Sequence, residues 1–211
     1  MPGASPGLLD HPRQIYPLTH VALWHAAGYA GLIGHLVLIM TAPPAEYGYG
    51  WTDAEAIRLY GLFTGLVHGS PLLGGWIADT FLGQRRAVVL GMWLQAAGLL
   101  ALVAVGVVPA VAGHLEDAPV REVILGADVP IGRLALEDGE IARLMAAARE
   151  VAGGADAEAL SAAATAAYGT MSLLFYVGLG AFVMGFGLES PTLAAMVGAL
   201  YEGGQGKREG G

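Results

Sequence analysis

The chain alternates long apolar runs with short polar joins. Pro17 to Met40 holds no Asp, Glu, Lys or Arg, although it carries His20, His25 and His35. Ala56 to Ala78 is apolar apart from Arg58 and His68, and Ala87 to Ala112 has no charge. A last run, with its apolar core at Leu174 to Val197, is interrupted by Glu189. Each run is long enough to span a hydrocarbon core of roughly 30 Å at about 1.5 Å per helical residue. The pattern predicts an all-α integral membrane protein with four transmembrane helices, at about 17–40, 56–81, 84–111 and 166–201. Residues 1–16 and 202–211 read as tails.

The joins carry their own signals. Tyr47, Tyr49 and Trp51 suit an interfacial aromatic belt. Thr52, with Glu55 three residues on, reads as a capping box that starts the second helix. Gly61, Gly65 and Gly69 recur at four-residue spacing, which predicts a close helix approach on that face. Gly178-x-Gly180 and Gly185-x-Gly187 lie inside an apolar span, so they read as helix packing and not as a nucleotide loop.

Residues 113–165 break the pattern with ten acids against four bases. Within this insert, Asp138 to Val151 shows helical periodicity closed by Gly153-Gly154, and Val120 to Leu136 reads as short strands or loop. Asp156 is placed to cap a further helix that continues into the membrane. The remaining bases set the topology. Arg13, Arg85, Arg86, Lys207 and Arg208 fall on one side and only Arg58 on the other, which puts both termini in the cytoplasm and the acidic insert outside.

Composition sharpens this reading. Hydrophobic residues make up 55% of the chain and charged residues 13%, against about a quarter charged in soluble domains. The net charge of −8 argues against nucleic acid as a partner. With no cysteine there is neither a disulfide framework nor a thiolate metal site. No hydrolase or phosphate-binding pattern is present, so the chain reads as a non-enzyme without cofactor or metal.

The turn at Gly75-x-x-x-Asp79 followed by Gly83-x-Arg85-Arg86 resembles the signature loop of major facilitator transporters. Leu59 to Leu66, Pro71 to Trp76, His11-Pro12-Arg13 and Met196 to Tyr201 resemble the proton-dependent oligopeptide transporter family more specifically. The resemblance implies the start of a major facilitator N-terminal half, an inner-membrane location, a small peptide substrate and alternating access. It also implies a gate-side charge network at Asp79, Arg85 and Arg86, although Thr80 stands where the signature has a basic residue.

The chain departs from that family where chemistry is concentrated. Ala22, His25, Ala26 and Ala27 occupy the first-helix motif that normally holds two glutamates and an arginine, and only Tyr29 remains of a tyrosine pair. Ser190 stands where the family has a lysine before Pro191. The ionisable residues left for a substrate or proton pathway are His25 and Glu189, with Tyr29 and Ser190 beside them. His25 and Tyr29 share a helix face, and a histidine titrates near neutral pH. A glutamate at mid-membrane costs roughly 2.5–3.5 kcal/mol on insertion scales and normally faces a cavity or a partner. Its alternative role is a pairing with His25 or His68 that holds helices in register.

Two readings of the whole follow. One is the N-terminal part of a divergent peptide or small-molecule transporter, completed by a partner chain or by further helices. The other is a transporter remnant whose acidic insert binds an extracytoplasmic partner.

Overall fold

The computed structural model describes residues 15–43, 46, 48–112, 118–133, 135–154 and 156–205. The tails expected at 1–16 and 202–211 lie largely outside these residues, as do Arg13, Lys207 and Arg208.

Six α-helices follow one another: α1 (Ile15–Thr41), α2 (Asp53–Ile77), α3 (Gln84–Ala112), α4 (Ala118–Gly126), α5 (Asp138–Ala152) and α6 (Ala157–Gln205). Three of them contain stretches long and apolar enough to cross a membrane, at Ile15–Thr41, Gln84–Val105 and Ala157–Leu200. α2 is 25 residues long but less apolar. Asp53, Glu55 and Arg58 crowd its first turns, and His68, Ser70 and Pro71 interrupt its second half.

α2 starts as its sequence dictates. The Thr52 hydroxyl accepts from the Glu55 N–H at 3.4 Å, and the Glu55 carboxylate accepts from the Thr52 N–H at 3.0 Å. α2 ends in a wider π turn at Ala78–Leu82. Gly83 closes that turn at φ 74°, a backbone setting that suits glycine, and its N–H donates to Ala78 O at 2.8 Å.

Helix packing centres on α6, which runs unbroken for 49 residues through Pro191. Its glycines meet glycines on α3 in antiparallel register. Gly91 faces the Gly185 carbonyl, and Gly98 faces the Gly178 carbonyl. Gly74 on α2 likewise lies against the Gly187 backbone. Small residues allow such backbone approaches, where dispersion and close fit take over from a hydrophobic driving force. This agrees with the packing role read from the glycine clusters of α6. The glycines of α2 differ from expectation. No heavy atom of the described residues comes within 4 Å of a Cβ built on Gly61, Gly65 or Gly69. Their face is open because α6 packs on the Phe63, Val67 and Gly74 side instead.

The stretch read as short strands or loop divides: residues 127–133 are turn and loop, and the residues before them are helical. Val120 to Gly126 belongs to α4, an amphipathic helix that buries Val123 and Ile124. α5 buries Leu144, Ala147 and Ala148. The segment between them docks on the α1–α2 connection and on α6. Ile131 N–H donates to Tyr49 O at 2.8 Å. Trp51 Nε1 donates to Ile131 O, and the Tyr168 hydroxyl donates to Val129 O. Tyr49 and Trp51 both pack edge-on against Phe175, with centroids 5.1 and 5.9 Å away. Burial pushes the Tyr49 phenol above its ordinary range. Arg133 ties the parts together, reaching Glu55 at 2.8 Å and Glu140 at 2.9 Å.

Candidate functional site

α1 meets α6 over a cavity of about 620 Å³, within the usual range for small-molecule sites. One stripe of each helix lines it. α1 contributes Ala22, His25, Ala26 and Tyr29, and α6 contributes Phe186, Ser190, Leu193, Ala194 and Val197. These spacings of three and four residues are those of a single helix face. The lining is mostly apolar and, among the described residues, holds neither Lys nor Arg.

A carboxyl group stands behind the lining. Glu189 is 1% exposed. Its Oε2 lies 2.7 Å from His25 Nδ1 and also accepts from the Gln95 amide of α3. Its Oε1 is buried with no hydrogen-bond partner among the described residues. The two alternatives for Glu189 in register-holding, His25 and His68, are thereby separated: His25 makes the contact. His68 instead lies 3.3 Å from the Tyr29 hydroxyl. Phe186 presses edge-on against the His25 ring, with centroids 4.7 Å apart and planes at 69°, and packs on Tyr29 at 5.3 Å. The imidazole is thus held from two sides.

The chain prepares this position through small residues. Gly91, Gln95 and Gly98 fall on one face of α3. A Cβ at Gly91 would lie 3.1 Å from the Glu189 Cβ, so the glycine makes room for the glutamate while Gln95, one turn on, supplies the donor. A scan of the sequence for charge passes over Gln95. The signal is a lone amide in an otherwise uncharged span.

The other histidines of α1 serve locally. His20 accepts from Trp24 Nε1 at 2.9 Å, and His35 Nδ1 contacts Gly31 O at 2.8 Å. Both are exposed and away from Glu189.

The loop residues are placed differently from the pocket residues. Gly75 sits inside α2, and a Cβ there would touch the Pro191 ring at 3.5 Å. Asp79 lies exposed in the π turn, Gly83 ends it, and Arg85 and Arg86 lie exposed in the first turn of α3. No ion pair joins Asp79 to Arg85 or Arg86 among the described residues. The structure therefore brings His25, Tyr29 and Ser190 onto the lining of one cavity, with Glu189 behind His25, and leaves the loop charges as a separate, exposed group.

Comparison with known proteins agrees with the resemblance. The chain is 38% identical over 87 residues to dipeptide and tripeptide permease A of Proteus mirabilis, covering 41% of this chain and 17% of that protein. It is 36% identical over 95 residues to the permease A of Erwinia pyrifoliae, covering 45% and 18%. It is 33% identical over 95 residues to dipeptide and tripeptide permease B of Xenorhabdus bovienii, again covering 45% and 18%. The match thus spans less than a fifth of each relative's length. No family model matches the chain, and no solved structure matches it. With its apolar helices, this chain is a multi-pass membrane protein that resembles, in part and divergently, the peptide permeases of the proton-dependent oligopeptide transporter family.

Proposed function

We propose that this chain supplies the first membrane helices of a secondary transporter for peptides or related small molecules, working by alternating access. The observation that carries the reading is the cavity between α1 and α6, with a buried carboxylate–imidazole pair at its wall, in a chain that is similar to permeases. An intramembrane carboxylate is costly unless a pathway or partner uses it.

In this reading α2 is the remaining span, lying in the bilayer beside the three more apolar ones. The turn at Gly75, Asp79, Gly83, Arg85 and Arg86 faces the cytoplasm as a gate-side group, as the positive-inside rule favours. The acidic insert then lies outside, both termini lie in the cytoplasm, and the protein resides in the inner membrane. Further helices, from a partner chain or from additional residues, complete the opposite wall of the cavity.

The test is uptake of a labelled dipeptide mix into proteoliposomes under an imposed proton gradient, comparing this chain alone with the chain plus its downstream-encoded neighbour. Uptake above empty liposomes in either sample supports transport. No uptake with both samples folded overturns it.

A further inference from the structure

The His25–Glu189 contact has a direction. Gln95 also donates to Glu189 Oε2, and when the glutamate is ionised the 2.7 Å contact needs the proton on His25 Nδ1. A neutral imidazole that donates through Nδ1 presents a lone pair at Nε2. His25 lines the cavity and keeps 13% of its side chain exposed, whereas Glu189 keeps 2%. In that ionised state the cavity meets an acceptor nitrogen with a buried carboxylate directly behind it. Among the described residues no Lys or Arg lines the wall to receive a carboxylate.

We infer that the His25–Glu189 pair is a single-occupancy site for either a proton or the ammonium group of an organic amine, and that the two exchange for one another. This deepens the transport reading above and rests on it for its role in uptake. With a proton on Nε2, imidazolium and carboxylate sum to zero. With Nε2 free, the pair carries one negative charge, and an ammonium N–H donating to Nε2 restores neutrality. Both at once would leave a net positive charge in an apolar wall, where charge is expensive. Binding one ammonium ion therefore releases one proton from Nε2 to water, and no other group changes state.

The surroundings suit such a ligand. Phe186 and Tyr29 offer aromatic faces beside His25, which attract cations, and Leu193 and Val197 take an apolar body. The other titratable groups facing the pair are Tyr29 on α1 and, through it, His68 on α2. α3 offers the uncharged Gln95.

The experiment is isothermal titration of the purified full chain with phenethylamine, with its N-acetyl derivative and with hydrocinnamate. Runs in two buffers of different ionisation enthalpy count the protons released. The amine is expected to bind with release of one proton, and its affinity to rise by about tenfold per pH unit in the range where the pair takes up the proton. The neutral amide and the anion are expected to bind at least about tenfold more weakly, a difference of about 1.4 kcal/mol. Glu189→Gln should weaken the amine by a similar factor and abolish proton release, and His20→Ala should do neither. Should Glu189→Gln fail to fold, His25→Gln is read in the same way. Equal binding of amide and amine, amine binding without proton release, or no amine binding by the folded chain overturns the inference. Dipeptide uptake that ignores the amine also overturns it while leaving the transport reading intact. Amine binding with proton release but no uptake removes the transport reading and leaves the site.

Discussion

Two neighbours of α6, α3 and α1, meet it differently, and the contrast locates the function. Toward α3 it is closed to the backbone, with Gly91 on the Gly185 carbonyl and Gly98 on the Gly178 carbonyl. Toward α1 it stands off across a cavity of about 620 Å³ and touches mainly through His25 and Tyr29. One helix is thus a fixed wall on one face and an open, polar-tipped wall on the other. Glu189 sits between the two and draws a partner from each, Gln95 from the closed side and His25 from the open side. A rigid seam holds the carboxylate in place, and the loose seam gives it a route to a ligand. Pre-organised groups on packed helices are what a binding site requires.

The largest effect should come from prising the closed seam apart. A Cβ at Gly91 would lie 2.7 Å from the Gly185 carbonyl and 3.0 Å from the Glu189 N. Gly91→Leu is therefore expected to cost about 3 kcal/mol or more, seen as lost helicity or a collapsed thermal transition in detergent. A variant as stable as the parent would show that the two helices can separate and that the seam is no fixed wall.

Next comes the residue between the seams. Glu189→Ala strands the Gln95 amide and the His25 N–H in a buried place, at a cost of about 2 kcal/mol. Glu189→Gln keeps an acceptor and should lose little stability. Thermal melts of both variants separate the carboxylate's charge from its hydrogen bonds. Equal melting temperatures for the two would mean that neither donor depends on Glu189.

A smaller effect tests whether the insert belongs to the closed side. Arg133→Ala removes the partly exposed pair with Glu55 and takes a donor from the buried Glu140 carboxylate, at a cost of about 1–2 kcal/mol, of which the Glu55 share shrinks as salt is raised. The Thr52 hydroxyl and N–H hold the Glu55 carboxyl below its ordinary 4.5, with Arg133 and Arg58 adding to the effect against a smaller rise from burial. The sign follows from that lowering. The contribution of Glu55 is complete above about pH 4.5 and is lost as pH falls through the lowered value. Thr52→Ala should therefore flatten the acid limb of a stability–pH curve. An unchanged acid limb would exclude this cap from acid unfolding.

The two faces of α6 are unequally legible in the sequence. Apolar runs mark α1, α3 and α6, and Thr52 with Glu55 marks the start of α2, because these depend on local pattern alone. Glu189 and His25 stand out as ionisable groups in apolar runs, and the structure joins them. Gln95 stays hidden because an amide carries no charge and its value depends on a helix 94 residues away. α4 escapes notice because a nine-residue helix between acidic turns shows little more than two turns of periodicity. The glycines of α6 and those of α2 both read as helix packing and have different fates. Spacing reports that a helix can be approached, not which neighbour approaches.

That difference supplies the smallest test. A methyl group placed on Gly65 would meet no described atom within 4 Å, unlike one on Gly91 or Gly185. An alanine there fills open space and removes the backbone freedom of glycine, so Gly65→Ala should stabilise α2 by up to about 0.5–1 kcal/mol. A small upward shift in the melting temperature of the purified chain, with no change in binding, keeps the α2 glycine face outside the packed bundle. A loss of stability instead would mean that a close helix neighbour covers that face. Loss of uptake without any change in stability would point the same way for the assembled transporter. The α2 stripe would then be a third seam of the closed kind, formed only when the remaining helices are present.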